Sequence, residues 1–404
     1  MSNQKLERIH RADFVKILTD RLKAVAGGAN APVKDLYDYA PNRLAKQLHP
    51  DVQFLKVKEV IEHTPDMKSF LLAPDKTKGT ETLAWFSAGQ YIVIALHIDG
   101  KAVCRPYSIA SSPRDTLQNE LRITVKRVEG GIVSSFVLDN WKEGTEVIAS
   151  APLGDFTYEP LRDAKTVVGI AGGSGITPFR AFARAIAQGD EDFSLVLLYG
   201  SRTKADAVFS DEFAALAKEN PKIRLVNVFS EEKKRGSETG FITAKLIKKY
   251  APKGEDYSIF LCGPQAMYDF VDKEIATLGL RRKFVRHELF GEYFHPEKDA
   301  AYPGDSSKTF RVTVRMAGTE RTIDCPADTS LLRAMEQNGI FAPSDCRSGR
   351  CGWCHSQLLS GNVYVPESVD GRRMADKLYG YIHPCCSFPL SDVVIAVPPM
   401  PHGA

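Results

Sequence analysis

Five of the eight cysteines crowd between Cys346 and Cys386, and three of them, Cys346, Cys351 and Cys354, are spaced C-x4-C-x2-C. A pair, Cys385-Cys386, follows further on. Thiolates are ligands for soft transition metals, and a two-iron cluster needs four of them on one small volume. A loop wrapped round such a cluster supplies three, and a distant segment supplies the fourth. Gly349 and Gly352 suit that loop, whose backbone must bend tightly and aim N–H groups at sulfur. Zinc and free structural cysteines are the other readings, but a zinc ribbon shows two C-x2-C pairs. The spacing predicts a [2Fe-2S] centre on Cys346, Cys351, Cys354 and one of the later pair.

A second group lies far upstream. Arg105-Pro106-Tyr107-Ser108 follows the run QYIVIALHI and a short turn. An aromatic ring next to a hydroxyl can stack on a flavin and hydrogen-bond its reactive edge, while the arginine neutralises phosphate. Four residues alone read equally well as a polar strand end. After LRITVKRV, whose Val125 and Lys126 join the candidate cofactor-binding residues, Gly130-Gly131-Ile132-Val133-Ser134 opens the helix SSFVLDNW. A helix N-terminus with free N–H groups and a hydroxyl binds phosphate well, so Gly131, Ile132, Val133 and Ser134 are candidates for that task.

A third group carries nucleotide chemistry. In GIAGGSGITPF, Gly172, Gly173 and Gly175 let the backbone approach a pyrophosphate, and Thr177 is expected to cap a helix with Pro178 at its first position. Many α/β proteins have such a turn. The stronger point is where other candidates fall. Ser201 and Arg202 end a second strand, Ser230 a third, and Cys262-Gly263-Pro264 a fourth. All would project from the carboxyl edge of one sheet, where such folds bind ligands.

These groups need three scaffolds. Residues 1–50 read as a helical extension, with Phe14, Ile17, Leu18 and Leu22 at helical spacing; it is expected to cap the next domain or, alternatively, to dock a partner. Residues 51–160 offer short strands (FLKVKEVIEH, QYIVIALHI, LRITVKRV, TEVIASAP) and predict an antiparallel flavin-binding barrel. Residues 161–293 alternate near-continuous apolar strands with helices and predict a doubly wound parallel-sheet nucleotide domain. A linker of Pro, Gly, Ser and charges spans 294–308. Residues 309–404 then carry a hairpin, a helix capped by Asp328 or Thr329 and ended by Gly339, the cysteine loop and a last strand, DVVIAV.

At this point the motifs resemble the ferredoxin–NADP reductase superfamily joined to a plant-type ferredoxin, as in oxygenase reductases. CRSGRCGWC resembles the ferredoxin cluster loop, and CCSFPLSDVVI its later segment. In that family the fourth ligand stands four residues before a proline. Counting back from Pro389 implies Cys385 in preference to Cys386, and the domain is expected to be a β-grasp. FSAGQY, the R-x-Y-S strand, the G-x-x-S helix start, PLGDF, CGPQAMY and Glu288-Leu289-Phe290 resemble the reductase motifs. The resemblance implies FAD, with FMN the alternative. It also implies hydride transfer beside Ser108 and Cys262, with Phe290 near the flavin ring.

Flavin stands between a nicotinamide, which gives two electrons together, and a cluster that takes one. Electrons are then expected to reach a separate oxygenase or other metalloenzyme. A self-sufficient reductase of a small acceptor and a redox-sensing module are the alternatives. Arg202 could serve a 2′-phosphate, but members of the family that resemble plant reductases carry Ser-Arg at the third strand end where this chain has Ser230-Glu231, so the resemblance leans to NADH over NADPH. Arg347 and Arg350 are expected to raise the cluster potential and attract acidic surfaces. A net charge of +3 on 404 residues speaks against general nucleic-acid binding. No apolar run spans a membrane and MSNQKLERIHRADF does not resemble a signal peptide, so a reducing cytoplasm is expected.

Overall fold

The structure, a computed structural model, describes residues 11–28 and 39–399. Helices α1 (Arg11–Gly28) and α2 (Ala40–Leu48) form one unit, and the chain from His49 onward forms the other. The side chain of Phe14 lies outside the described set. Among the described residues no helix is long and apolar enough to cross a membrane.

Six strands build the first sheet: β1 (Val52–Thr64), β2 (Met67–Pro74), β3 (Tyr91–Ile98), β4 (Lys101–Ser108), β5 (Leu121–Lys126) and β6 (Glu146–Ser150). Their order is β4-β3-β6-β1-β2-β5, all antiparallel, and the edges β4 and β5 approach at the bridge Ile109–Ile123. The sheet therefore curls into a half-barrel around Leu55, Val57, Phe70, Ile92, Ile94 and Ile123. Strand β2 is absent from the sequence expectation because Phe70-Leu71-Leu72-Ala73 does not alternate, and a short apolar run leaves strand and helix undistinguished. Helix α3 (Ile132–Asn140) follows β5.

The second sheet is wholly parallel, with order β10-β9-β8-β7-β11-β12. Its strands are β7 (Thr166–Gly172), β8 (Ser194–Ser201), β9 (Ile223–Phe229), β10 (Glu238–Thr239), β11 (Ser258–Cys262) and β12 (Val285–Glu288), joined through α4 (Thr177–Gln188), α5 (Ser210–Glu219), α6 (Ala244–Tyr250) and α7 (Gln265–Ala276). Strand order reverses between β7 and β11, which places a crevice at their carboxyl ends. Ile176, Phe179, Ala183 and Ile186 are buried, as expected of the α4 face on the sheet. Thr177 is not the cap. A 3-10 turn over Gly173–Ile176 already winds the chain, so Thr177 begins α4 and its hydroxyl donates to the Ser174 carbonyl at 2.9 Å.

The third sheet, β14-β13-β19-β15-β17, is mixed. It comprises β13 (Thr309–Met316), β14 (Thr319–Pro326), β15 (Ser356–Ser360), β17 (Tyr381–Ile382) and β19 (Val393–Ala396); β16 (Val363–Tyr364) pairs separately with β18 (Phe388–Pro389). β13 pairs in parallel with β19, α8 (Leu331–Gln337) buries Leu331, Leu332 and Met335 in the core these strands share, and α9 (Met374–Leu378) precedes β17. Ser330, not Asp328 or Thr329, caps α8, its oxygen accepting from the Arg333 N–H at 3.3 Å. The segment 294–308 is not a loose tether. The Tyr302 hydroxyl donates to the Ala327 carbonyl at 3.2 Å and Asp299 accepts from Tyr364, so these residues are tied to the end of β14 and to β16.

Candidate functional site

The cysteine loop presents its sulfurs in two pairs. Cys354 Sγ lies 3.4 Å from Cys385 Sγ, and Cys346 pairs with Cys351, whose thiol is the main cause that lowers the Cys346 pKa. Backbone N–H groups point at these sulfurs: Gly349 to Cys385 at 3.2 Å, Cys351 to Cys346 at 3.3 Å, Trp353 to Cys351 at 3.4 Å and Ser348 to Cys346 at 3.5 Å. Gly349 and Gly352 take positive φ, 78° and 75°. A side chain at Gly349 would strike the Val369 carbonyl, its Cβ falling 2.1 Å from that oxygen. Among the described residues no three His, Cys, Asp or Glu side chains gather as a single-ion site. Two pairs of sulfurs with N–H donors suit two irons, each taking two thiolates. Cys386 is buried beside them, its thiol 3.5 Å from the His383 carbonyl and its sulfur 2.8 Å from where a Gly349 Cβ would stand.

This loop is seated on the half-barrel. The Cys104 thiol in β4 donates to the Ser344 carbonyl at 3.1 Å, two residues before Cys346. Tyr91, Val93 and Cys104 pack with Phe290 and Phe341, so strands of the first sheet, the tail of the second and the cysteine domain share one apolar junction. Tyr91 meets Phe290 edge to face, with ring centroids 5.0 Å apart. Burial raises the Tyr91 hydroxyl pKa, and the neighbouring Cys351 and Cys346 add to that shift.

Around the R-x-Y-S strand, Pro106 and Ser108 are buried and Tyr107 packs against the barrel core. Arg105 is held bidentately by Glu336 of α8, at 3.1 and 3.3 Å. Gly131 precedes α3 without a side-chain cap, which leaves N–H groups of the first turn free for an anion. The Ser134 oxygen accepts from the Val128 N–H at 3.0 Å; Ile132 is exposed and Val133 faces the core. Val125 is fully buried by strand alternation, so its side chain is a core group and only its backbone can meet a cofactor. Lys126 reaches across to the glycine-rich turn, its Nζ 3.7 Å from where a Gly173 Cβ would stand.

At the crevice, a Cβ on Gly175 would stand 2.1 Å from the Cys262 carbonyl oxygen. Only glycine lets the two turns touch there. The flexible side chain of Met267 lies over Gly172 and Gly263, its sulfur 2.4 and 2.6 Å from where their Cβ atoms would stand. Pro264 precedes α7, and the Tyr268 hydroxyl accepts from the Gly263 N–H at 3.2 Å. Burial pushes the Cys262 thiol up, and neighbouring Glu288 adds to it. At the ends of β8 and β9, Ser230 N–H donates to Ser201 and Glu231 N–H to Arg202, at 3.1 and 3.0 Å. Arg202 itself pairs with Asp206 at 3.2 Å.

Comparison with known proteins agrees with this geometry. Residues 55–158 match the oxidoreductase FAD-binding domain, residues 170–273 the oxidoreductase NAD-binding domain and residues 314–390 the 2Fe-2S iron-sulfur cluster binding domain. The ferredoxin reductase component of 3-ketosteroid-9-alpha-monooxygenase from Rhodococcus rhodochrous is 31% identical over 346 residues, covering 84% of this chain and 94% of that protein. The chain belongs to the [2Fe-2S]-containing reductases of the ferredoxin–NADP reductase superfamily. The glycine betaine monooxygenase reductase subunit of Chromohalobacter salexigens is 28% identical, covering 83% of this chain and 93% of that protein. The structure of phthalate dioxygenase reductase superposes with a TM-score of 0.61 at 25% identity, covering 86% of this chain and 98% of that one.

This reductase is thus an NAD(P)H oxidoreductase that passes electrons through FAD to a [2Fe-2S] cluster. Three members of its junction escaped sequence reasoning: Tyr91, Glu292 and Glu336. Tyr91 lies in the FSAGQY motif and was within reach. The two glutamates carry no local signal, because what matters is Arg347, which both of them bind. Arg347 also departs from expectation. Its side chain is fully buried between these carboxylates, so it attracts no acidic surface, whereas Arg350 stays exposed.

Proposed function

We propose that the reductase supplies single electrons to a partner oxygenase, with NADH as the preferred donor. The carrying observation is the Cys104–Ser344 contact at 3.1 Å, which joins the flavin strand to the loop that would hold the cluster. Bound flavin supplies the change from two-electron to one-electron transfer. Cys346, Cys351, Cys354 and Cys385 would hold the cluster, their two sulfur pairs offering two thiolates to each iron. Ser108 would hydrogen-bond the reactive flavin edge, Tyr107 would flank the ring, and the first turn of α3 would neutralise phosphate, joined by Arg105 on release from Glu336. Cys262 and Phe290 shape the space where nicotinamide meets flavin and keep water from it.

The glycine turn of Gly172, Gly173 and Gly175 brings backbone against the dinucleotide, with Thr177, Gly263 and Pro264 beside it. Glu231 and Asp206 put negative charge next to Ser201, Arg202 and Ser230, which disfavours a 2′-phosphate. Eight free cysteines suit the cytoplasm. Reductases of two monooxygenase systems among its relatives support an oxygenase as acceptor. Anaerobic co-purification with the tagged reductase tests this. An oxygenase that the reduced protein reduces at rates matching turnover is the expected result. A small molecule reduced as fast in the absence of any protein would replace the proposal.

A further inference from the structure

Arg347 is the largest fully buried side chain of the described chain, and it takes left-handed backbone, φ 57°. A buried guanidinium needs both charge balance and satisfied N–H groups. It receives both from two directions. Glu336 on α8 accepts from Nη1 and Nη2 at 2.7 and 2.9 Å. Glu292, delivered by the segment after β12, accepts from Nε at 3.0 Å and also from Nη2. Nη1 further donates to Ser344 Oγ at 3.3 Å. Arg105 of β4 grips Glu336 from the far side and lies 3.8 Å from Glu292; Arg333 lies 3.8 Å from Glu292.

Charges thus alternate through all three parts of the reductase: barrel, nucleotide domain and cluster loop. Glu336 and Arg347 belong to the same domain, so their pair cannot by itself fix that domain's placement. Arg105 reaches this pair from the barrel, and Glu292 is the member that reaches it from the nucleotide domain. We propose that Glu292 is a positioning residue for flavin-to-cluster electron transfer, its carboxylate tying the nucleotide domain to the cluster loop through Arg347. The inference rests on the reading of Cys346 as a cluster ligand and deepens it.

The sign of two effects separates positioning from electrostatics. Replacing Glu292 by Gln removes a negative charge beside the loop, leaves Arg347 less compensated and raises the cluster potential. A higher potential adds driving force and by itself would speed cluster reduction. Loss of positioning slows it, since small displacements of reacting centres cost large factors in rate.

The experiment uses holoprotein with measured flavin and iron. Anaerobic stopped-flow with NADH follows flavin reduction and cluster reduction separately, a redox titration gives the cluster potential, and trypsin cleavage after Lys298 or Lys308 reports undocking. For Glu292→Gln the expected result is unchanged flavin reduction, cluster reduction slower by about tenfold or more, a raised potential and faster cleavage. Cluster reduction at or above the original rate, with both cofactors in place, overturns the proposal. Should the Gln variant lack iron, Glu292→Asp carries the test, keeping the charge but withdrawing it by one methylene. Slowed cluster reduction with intact flavin reduction supports positioning, and an unchanged rate overturns it. A failure of the wider functional reading differs visibly, because no cluster signal would be present in the unmodified protein.

Discussion

The sulfur of Cys354 stands 3.4 Å from that of Cys385, while the adjacent Cys386 is turned toward the His383 carbonyl. Two neighbouring cysteines therefore meet different partners, and unlike tasks are expected of them. Cys385→Ser and Cys351→Ser are expected to abolish the cluster absorbance and electron paramagnetic resonance signal while sparing flavin. Ferricyanide, which takes electrons from flavin directly, should still be reduced near the original rate, and a one-electron protein acceptor should not. Cys386→Ser should retain both activities. Full transfer to a protein acceptor by the Cys351 variant would mean that cluster and flavin do not act in series.

Gly349 makes a second, stricter test of the loop. Its φ of 78° and the Val369 oxygen 2.1 Å from a would-be Cβ leave no room for alanine. Strain of about 1–3 kcal/mol is expected from such a backbone. Gly349→Ala should lower iron content at least by half and leave flavin content and NADH-to-ferricyanide activity intact. Normal iron content in the alanine variant would show that the loop can rearrange freely.

Metal and flavin identity are read directly from purified protein. Two irons per chain and FAD on chromatography of the released flavin are expected. Zinc in place of iron would remove the basis for one-electron transfer.

Nucleotide choice follows from carboxylates near Arg202. With Asp206 engaging that arginine and Glu231 at the next strand end, kcat/KM should favour NADH over NADPH. Glu231→Arg should shift the ratio toward NADPH by about tenfold, as one added charge pair on a phosphate warrants. A strong NADPH preference in the unmodified protein would reverse the assignment.

His63 gives the reductase an acid sensitivity. Burial, then Arg122 and Arg180, push its pKa below the ordinary value, while its ring bonds Ser69 Oγ at 2.7 Å. The unfolded chain then binds more protons than the folded one as pH falls below the ordinary histidine value, so stability drops with falling pH. Thermal unfolding should show a lower Tm at pH 5 than at pH 7.5, and His63→Gln should flatten that slope. An equal slope in the variant would assign the acid loss to other groups.

Local chemistry was legible in the chain before any fold. Spacing alone marked Cys346, Cys351 and Cys354, since a small cluster demands a short loop. Glycines at 172, 173 and 175 announced a close approach, because only a missing side chain permits it; the structure adds that at Gly175 the approach is to the Cys262 carbonyl. Parallel strands were readable as apolar runs, whereas β2 was not, its unbroken Phe70–Ala73 run lacking alternation.

Caps were misread for a reason of the same kind. Thr177 and Asp328 have capping chemistry, but which residue caps depends on where winding begins, and that is set by packing on the sheet beneath. The sequence by itself pointed to the cofactor chemistry, the three scaffolds and Cys346, Cys351 and Cys354, with Cys385 added by the family resemblance, because these depend on residue type and on separations along the chain. Only the tertiary structure decided that Cys385 and not Cys386 faces Cys354, that Arg347 is buried between Glu292 and Glu336, and that the loop docks on Cys104. Such contacts join residues far apart in sequence. Their direction and partners arise from the packing of one sheet against another, which no local pattern encodes.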